Sequence, residues 1–336
     1  MNKIFYIDGG AGRVIAAIPA LKKYAKLHPN EEWSVFIPGW DNLVWGIPEL
    51  QDRTYSPDAK GIFDNIIKKA DVIVTPEPYR VPGYFKQELS LAEAFDKEIN
   101  QTDDHSDLEP PTMVFSKAEE QNAANFHNYM KGTYKKKKTI IIQPFGRSAR
   151  IDGQPMDPCG QPMQQQSIMK PLGGMNQPVP PKIIIDDSTR SLTKKAYLKL
   201  TKELSKKYNV AFFGEKSFAL DEDVAFKPEF DLRMWGAVIK YADYFIGCDS
   251  VGQHMARSTE TPGTVFIGST YPINTSYPDY FKIIDKEGIK KYSPIRICGL
   301  DGHLADRMNE GSMKFSDEEM DEVIKNIIND IEGVKE

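Results

Sequence analysis

Three cysteines in 336 residues (Cys159, Cys248 and Cys298) are an odd number at wide spacing, with no metal-ligand pattern and no disulfide framework. No apolar run approaches the roughly 18–20 residues needed to span a bilayer, and Met1-Asn2-Lys3-Ile4 opens directly into a strand. Positive charge is not in excess: 43 Lys and Arg against 48 Asp and Glu give a net charge of −5, which speaks against a general nucleic-acid binder without excluding a local basic groove. These absences point to a reduced, cytoplasmic setting. What is present, 40% hydrophobic and 27% charged residues, is the composition of a soluble globular protein. The length favours two domains.

The pattern along the chain alternates strand and helix, so the fold class is α/β. Lys3-Ile4-Phe5-Tyr6-Ile7 reads as a first strand, Asp8-Gly9-Gly10-Ala11-Gly12 as a tight turn, and Arg13 to Leu27 as a helix with Val14, Ile15, Ile18, Leu21 and Tyr24 inward. Further strands are expected at Trp33–Ile37, near Val72–Val74 and at Thr112–Phe115, with helices over much of Tyr84–Ile99 and Glu119–Met130. Lys135-Lys136-Lys137-Lys138 then precedes a fresh strand, Thr139-Ile140-Ile141-Ile142, and the turn Pro144-Phe145-Gly146-Arg147-Ser148. The reading gives an N-terminal domain over 1–135, a C-terminal domain over 136–315 and a last helix over 316–336, started by the capping box Ser316/Glu319. A Pro- and Gln-rich stretch over 151–181 interrupts the second domain and has the composition of a loop.

The densest functional signal is Cys248-Asp249-Ser250-Val251-Gly252-Gln253-His254-Met255-Ala256-Arg257. It follows the apolar run Tyr244–Gly247 and precedes the strand Gly263–Ile267 and the turn Gly268-Ser269-Thr270. Strand, small polar turn, helix and strand aim a helix N-terminus at a ligand, and the unpaired N–H groups there suit phosphate. An acid at the strand end suits sugar or ribose hydroxyls. The first turn offers only half of a dinucleotide fingerprint: Gly10 and Gly12 are present, but position 15 is Ile, and no acid follows the second strand, where Ile37-Pro38-Gly39 stands. A nicotinamide-dependent oxidoreductase or epimerase is a poor match. Asp103-Asp104-His105-Ser106-Asp107 has the residue types of a metal site, yet neighbours in a polar loop rarely converge on one ion.

The two halves together resemble the heptosyltransferases of bacterial lipopolysaccharide synthesis, glycosyltransferases of the GT-B fold. The resemblance runs through Gly12, Val14, Ile15 and Pro19-Ala20-Leu21. It continues through Arg190-Ser191-Leu192-Thr193 with Tyr197, then Asp249-Ser250, His254-Met255-Ala256, Thr261-Pro262 and Gly268-Ser269-Thr270. It implies two Rossmann-like domains facing across a cleft, and inverting, metal-independent transfer with no cofactor beyond a nucleotide-sugar co-substrate. It further implies that Arg147, Ser148, Arg190, Asp249, Ser250, Val251, Gly252 and His254 hold the donor. Gly10, Gly12, Arg13, Tyr79 and Arg80 would face the acceptor, either a glycan such as lipopolysaccharide core or a hydroxylated base in DNA.

One departure stands out. The family has an acid just after the glycine of the first turn, the base for the acceptor hydroxyl, whereas this chain has Arg13. A guanidinium cannot serve as a base. Asp8 is the substitute within reach, so Asp8 and Arg13 are the catalytic candidates. A cation in the first helical turn opposes the macrodipole, so Arg13 should bind an anion: an acceptor's phosphate or carboxylate, or a carboxylate of the protein such as Asp8. Loss of the acid also leaves open a non-catalytic nucleotide-sugar or glycan binder on the same fold.

Overall fold

The structure is a computed structural model and describes residues 2–146, 190–214, 222–286, 288–294 and 311–333, together with the backbone of 149–151 and 183–185. Arg147, Ser148 and nearly all of the Pro/Gln-rich stretch lie outside the described residues.

The N-terminal half contributes β1 (Lys3–Tyr6), β2 (Trp33–Phe36), β3 (Thr54–Tyr55) and β4 (Val72–Val74). Its helices are α1 (Ala11–Leu27), α2 (Ile62–Asn65), α3 (Pro82–Phe85), α4 (Leu91–Asn100) and α5 (Lys117–Tyr134). The second half contributes β5 (Thr139–Gln143), β6 (Ala149–Ile151), β7 (Ile183–Ile185), β8 (Asn209–Phe212), β9 (Tyr244–Cys248), β10 (Gly263–Ile267) and β11 (Lys282–Asp285). With them come α6 (Lys194–Ser205), α7 (Leu232–Lys240), α8 (Val251–Ser258), α9 (Pro272–Thr275) and α10 (Asp317–Glu332). Two parallel sheets result, ordered β3-β2-β1-β4 and β11-β10-β9-β5-β8, while β6 and β7 pair separately and antiparallel.

The apolar runs decide which strands sit centrally. β5 and β9 are buried along their whole length, as parallel strands covered on both faces must be. α1 is buried on more than one side, because α4 and α8 both pack on it. Its small residues Ala16, Ala17 and Ala20 let those neighbours approach. α10 lays Met320, Ile324 and Ile327 on the same cluster as Leu200 and Leu204 of α6, and each such side chain is worth about 1.5–3 kcal/mol of burial.

Each sheet reverses its winding once. The chain runs β1, β2, β3 to one side and then places β4 on the other side of β1. In the second sheet β8 lies on one side of β5 and β9 on the other. Parallel sheets bind ligands outside the carboxyl ends of strands at such switch points. The two switch points of this molecule face each other.

The halves are pinned together by buried polar contacts. Arg233 of α7, 7% exposed, pairs with Glu119 at the start of α5 and donates to the carbonyls of Asn42 (2.7 Å), Trp45 (3.3 Å) and Val114 (2.6 Å). His127 Nε2 donates to Val238 O at 2.8 Å. Asn274 Nδ2 donates to Tyr84 O (2.8 Å) and Leu89 O (3.1 Å).

Arg233 also explains why Thr112–Phe115 is not a strand, contrary to the alternation in its sequence. Met113 and Phe115 do point inward, against Gly236, where a Cβ would lie 2.9 Å from Met113 Cε. The segment has no ladder partner, however, and the Val114 carbonyl is taken by a guanidinium instead. Arg233→Met should lower unfolding stability by about 3 kcal/mol, because it strands a carboxylate and three carbonyls at an internal boundary. Urea unfolding followed by tryptophan fluorescence checks this.

Candidate active site

A cavity of about 200 Å³ lies between the carboxyl ends of the two sheets. Residues after β1 (Gly10, Ala11, Gly12, Arg13) and after β4 (Tyr79, Tyr84, Leu91) line one wall. Arg190, Asp249, Ser250, Val251, His254, Thr275 and Pro294 line the other. Nine sequence candidates therefore share one cavity: Gly10, Gly12, Arg13, Tyr79, Arg190, Asp249, Ser250, Val251 and His254.

Two helices begin at this cavity. Gly9 takes a φ of +94°, a conformation that disfavours any side chain, and turns the chain from β1 into α1. Neither α1 nor α8 has a side-chain cap or an acid in its first turn. The first amides of a helix have no intrahelical acceptor, and the dipole adds positive potential at that end. One of these amides is already engaged: the Gly252 N–H donates to Gln143 Oε1 at 2.8 Å, and Gln143 Nε2 reaches Ser250 Oγ at 3.3 Å. A Cβ on Gly252 would sit 2.4 Å from that Gln143 oxygen, so glycine is what admits the contact. The expectation that Gly252 holds a ligand through its amide is thus corrected, because a buried glutamine at the end of β5 occupies it. The Ser250 and Val251 amides stay on the cavity wall.

Asp249 stands at the end of β9 and is 4% exposed. It accepts from Thr270 Oγ1 (3.2 Å) and Gln253 Nε2 (3.4 Å), and Arg190 Nε lies 3.3 Å from its Oδ2. Burial pushes its carboxyl upward, opposed by the Arg190 charge and by the Thr270 and Thr275 hydroxyls. Asp249 in turn holds Arg190 firmly charged, above the usual arginine value. Gly146 makes the approach possible: its N–H donates to Arg190 O at 3.1 Å, and a Cβ there would come within 2.7 Å of the same oxygen.

His254 projects from α8 toward α1. Its Nδ1 is 2.8 Å from Tyr277 Oη, and burial first, then the Arg190 charge, bring its pKa down to about 4, so the ring is neutral at pH 7. A Cβ on Gly12 would lie 2.7 Å from His254 Cδ2 and 3.1 Å from Nε2. The glycine and the imidazole thus meet face to face across the two halves.

Arg13 finds its anions inside the protein. Its side chain is 3% exposed, with Nη2 3.2 Å from Asp8 Oδ1 and donating to Pro76 O at 2.6 Å, while Nη1 donates to Glu77 Oε1 at 3.1 Å. The rings of Tyr79 and Phe95 flank the guanidinium, at 5.1 and 5.3 Å. Asp8 is paired with Arg13 and is not among the residues that line the cavity. Tyr79 does, but Arg80 is exposed and absent from the lining. The Asp103–Asp107 loop is pinned by ion pairs of Lys97 with Asp103 and Lys23 with Asp107, and by a 2.7 Å hydrogen bond between His105 Nδ1 and Asp96 Oδ2. Among the described residues no group of three His, Cys, Asp or Glu could hold a metal ion.

Sequence reasoning overlooked Gln143, Thr275 and Tyr277. A polar residue ending the apolar run Thr139–Ile142 was the available signal for the first. Tyr84, also on the cavity wall, is buried, and its hydroxyl has no hydrogen-bond partner among the described residues.

Two parallel sheets that meet across a cleft at their switch points are the GT-B architecture. Among solved structures, a family 9 glycosyl transferase from Veillonella parvula superposes with a TM-score of 0.64 at 14% identity, covering 98% of this chain and 96% of that one. The ADP-heptose lipopolysaccharide heptosyltransferase II of E. coli gives 0.59 at 12% identity, covering 98% of both chains. No family model matches the sequence, and no curated protein matches it significantly. The chain has the heptosyltransferase-like GT-B fold over nearly its whole length.

Arg13→Ala should cost about 3 kcal/mol of stability, since it leaves Asp8 and Glu77 without their shared, buried cation. The helix dipole alone would favour removal of this cation, and its two carboxylate partners outweigh that gain. Chemical denaturation of the two proteins at equal pH and salt checks it.

Proposed function

We propose that the protein is a glycosyltransferase that moves a sugar from a nucleotide-sugar donor to an acceptor hydroxyl, with inversion and without a metal ion. The observation that carries this reading is the convergence of two helix N-termini and Arg190 on one cavity beside the buried acid Asp249. Amides and a guanidinium suit a diphosphate, and a carboxylate suits sugar hydroxyls. The leaving group departs with growing negative charge, so a fixed cation gains value along the reaction path. On this reading Arg190 supplies that charge.

On this reading the second half holds the donor through Arg190, Asp249, Ser250 and Val251, and the wall of Gly10, Gly12 and Tyr79 faces the acceptor. The acceptor we favour is the hydroxyl of a glycan. An acceptor anchored by a phosphate backbone, as in DNA, would need a cation with donors to spare, and Arg13 spends its terminal ones on Asp8, Glu77 and Pro76. The same pairing is what favours a second reading, a sugar-nucleotide binder without turnover, because no acid stands in the first turn of α1.

Incubation with a panel of nucleotide sugars, followed by mass spectrometry, separates the two. Consumption of one donor supports transfer, whereas retention of the intact donor supports the binder. Arg190→Ala should weaken nucleoside diphosphate binding at least ten-fold, the equivalent of losing a charged hydrogen bond of about 1.5–3 kcal/mol, and leave a phosphate-free nucleoside unaffected. Asp249→Asn should weaken the nucleotide sugar while sparing the bare nucleoside diphosphate. Titration calorimetry reads all three ligands, and equal losses for every ligand would remove these residues from the assigned roles.

A further inference from the structure

Displacement at the sugar carbon requires a group that takes the proton of the acceptor hydroxyl. Asp8 and Glu77 are bound to Arg13, and neither lines the cavity. Asp249 lines it, but its Oδ2 faces Arg190 and Thr270 and its Oδ1 faces Gln253. Of the described residues in the lining, His254 is the other side chain able to accept a proton near neutral pH. Its Nδ1 is occupied by Tyr277 Oη, which leaves Nε2, the atom turned toward Gly12 and the first turn of α1.

Resting on the transferase reading above, we propose that His254 is the general base, with Nε2 taking the proton from the acceptor hydroxyl. In this role Nδ1–H donates to Tyr277 Oη, 2.8 Å away, a hydroxyl able to accept as well as donate, and Nε2 carries the lone pair. In the step itself the acceptor oxygen forms a bond to the anomeric carbon and its proton moves to Nε2. The bond from that carbon to the phosphate oxygen breaks, and its electron pair leaves on the nucleoside diphosphate. Electrons and protons balance without a further reactant.

The charges around the ring explain how so weakly basic an imidazole is recruited. Asp249 and Arg190 face it from its own half, Tyr277 from the segment after α9, and Arg13 begins the opposite helix. Burial and Arg190 hold the empty-site pKa down at about 4. A diphosphate on Arg190 sets negative charge beside the ring, which favours the imidazolium, so donor binding raises the basicity of Nε2. The base is strengthened only when there is a sugar to transfer.

The test is His254→Gln, assayed for transfer with the donor and acceptor identified by the panel, together with donor binding by calorimetry. The expected result is a fall in kcat of at least 100-fold, with donor Kd changed less than about three-fold. The acid limb of the wild-type pH–rate profile should vanish. In the wild type, that limb should lie at higher pH for acceptor kcat/KM at saturating donor than for donor kcat/KM. A kcat within three-fold of wild type, or a donor Kd weakened in proportion to the loss of rate, overturns the proposal. Should His254→Gln fail to fold, Tyr277→Phe decides: kcat should fall about ten-fold with donor Kd held, and an unchanged kcat and pH profile count against it. If the wild-type protein itself consumes no donor, the transferase reading has failed instead, and the two failures are told apart by that control.

Discussion

How closely α1 and α8 can begin to each other is the constraint on which the rest of the cleft depends. Both helices start at the cavity with no acid in the first turn, so two positive dipole ends point into one small volume. That arrangement is unfavourable in an empty protein unless negative charge is close by. Asp249 lies at the root of α8, and Asp8 and Glu77 flank α1 through Arg13. At the cavity the two helices meet through one glycine and one imidazole. Gly12 has no side chain to push His254 away, and His254 is kept neutral, so it adds no third positive charge.

This closeness persists because the surrounding polar contacts cross between the halves. Asn274 ties the carbonyls of Tyr84 and Leu89 to the same segment that carries Thr275, and Thr275 O receives Gln253, a neighbour of Asp249. Arg233 and His127 do similar work at the other end of the interface. Buried donors held to main-chain carbonyls are costly to break, since an unsatisfied partner pays full desolvation. The cleft walls are therefore positioned by specific hydrogen bonds rather than by apolar packing alone.

Local patterning reveals the sheets, most helices and the turn at Asp249, because periodicity and caps act within a few residues. Gly263–Ile267 stands as a strand with the limits its sequence suggests, and Ser316/Glu319 starts the last helix as a capping box. Partners distant in sequence are another matter. The dipole argument correctly required an anion for Arg13, but nothing near position 13 says that Glu77, 64 residues on, supplies one alongside Asp8. Gln143 likewise acts on Gly252 across 109 residues, and Tyr277 on His254 across 23. Thr112–Phe115 misled for the opposite reason: its alternation reports burial faithfully, but a strand also needs a neighbour with free main-chain groups, and Arg233 arrives instead.

The exchange of an acid for Arg13 then follows a physical logic of its own. A carboxylate at that point would share the cavity wall with Asp249 and repel a diphosphate, although it could accept a proton. An arginine there, paired with Asp8 and Glu77, is engaged within the protein and leaves no acid in the first turn of α1. Among the described residues the other charged groups at the cavity are Arg190 and Asp249, a pair with no net charge between them. On the proposed reading an incoming diphosphate meets two helix ends and one guanidinium. Its sugar then meets one acid, and the base proposed for the acceptor is the imidazole whose protonation the same guanidinium disfavours.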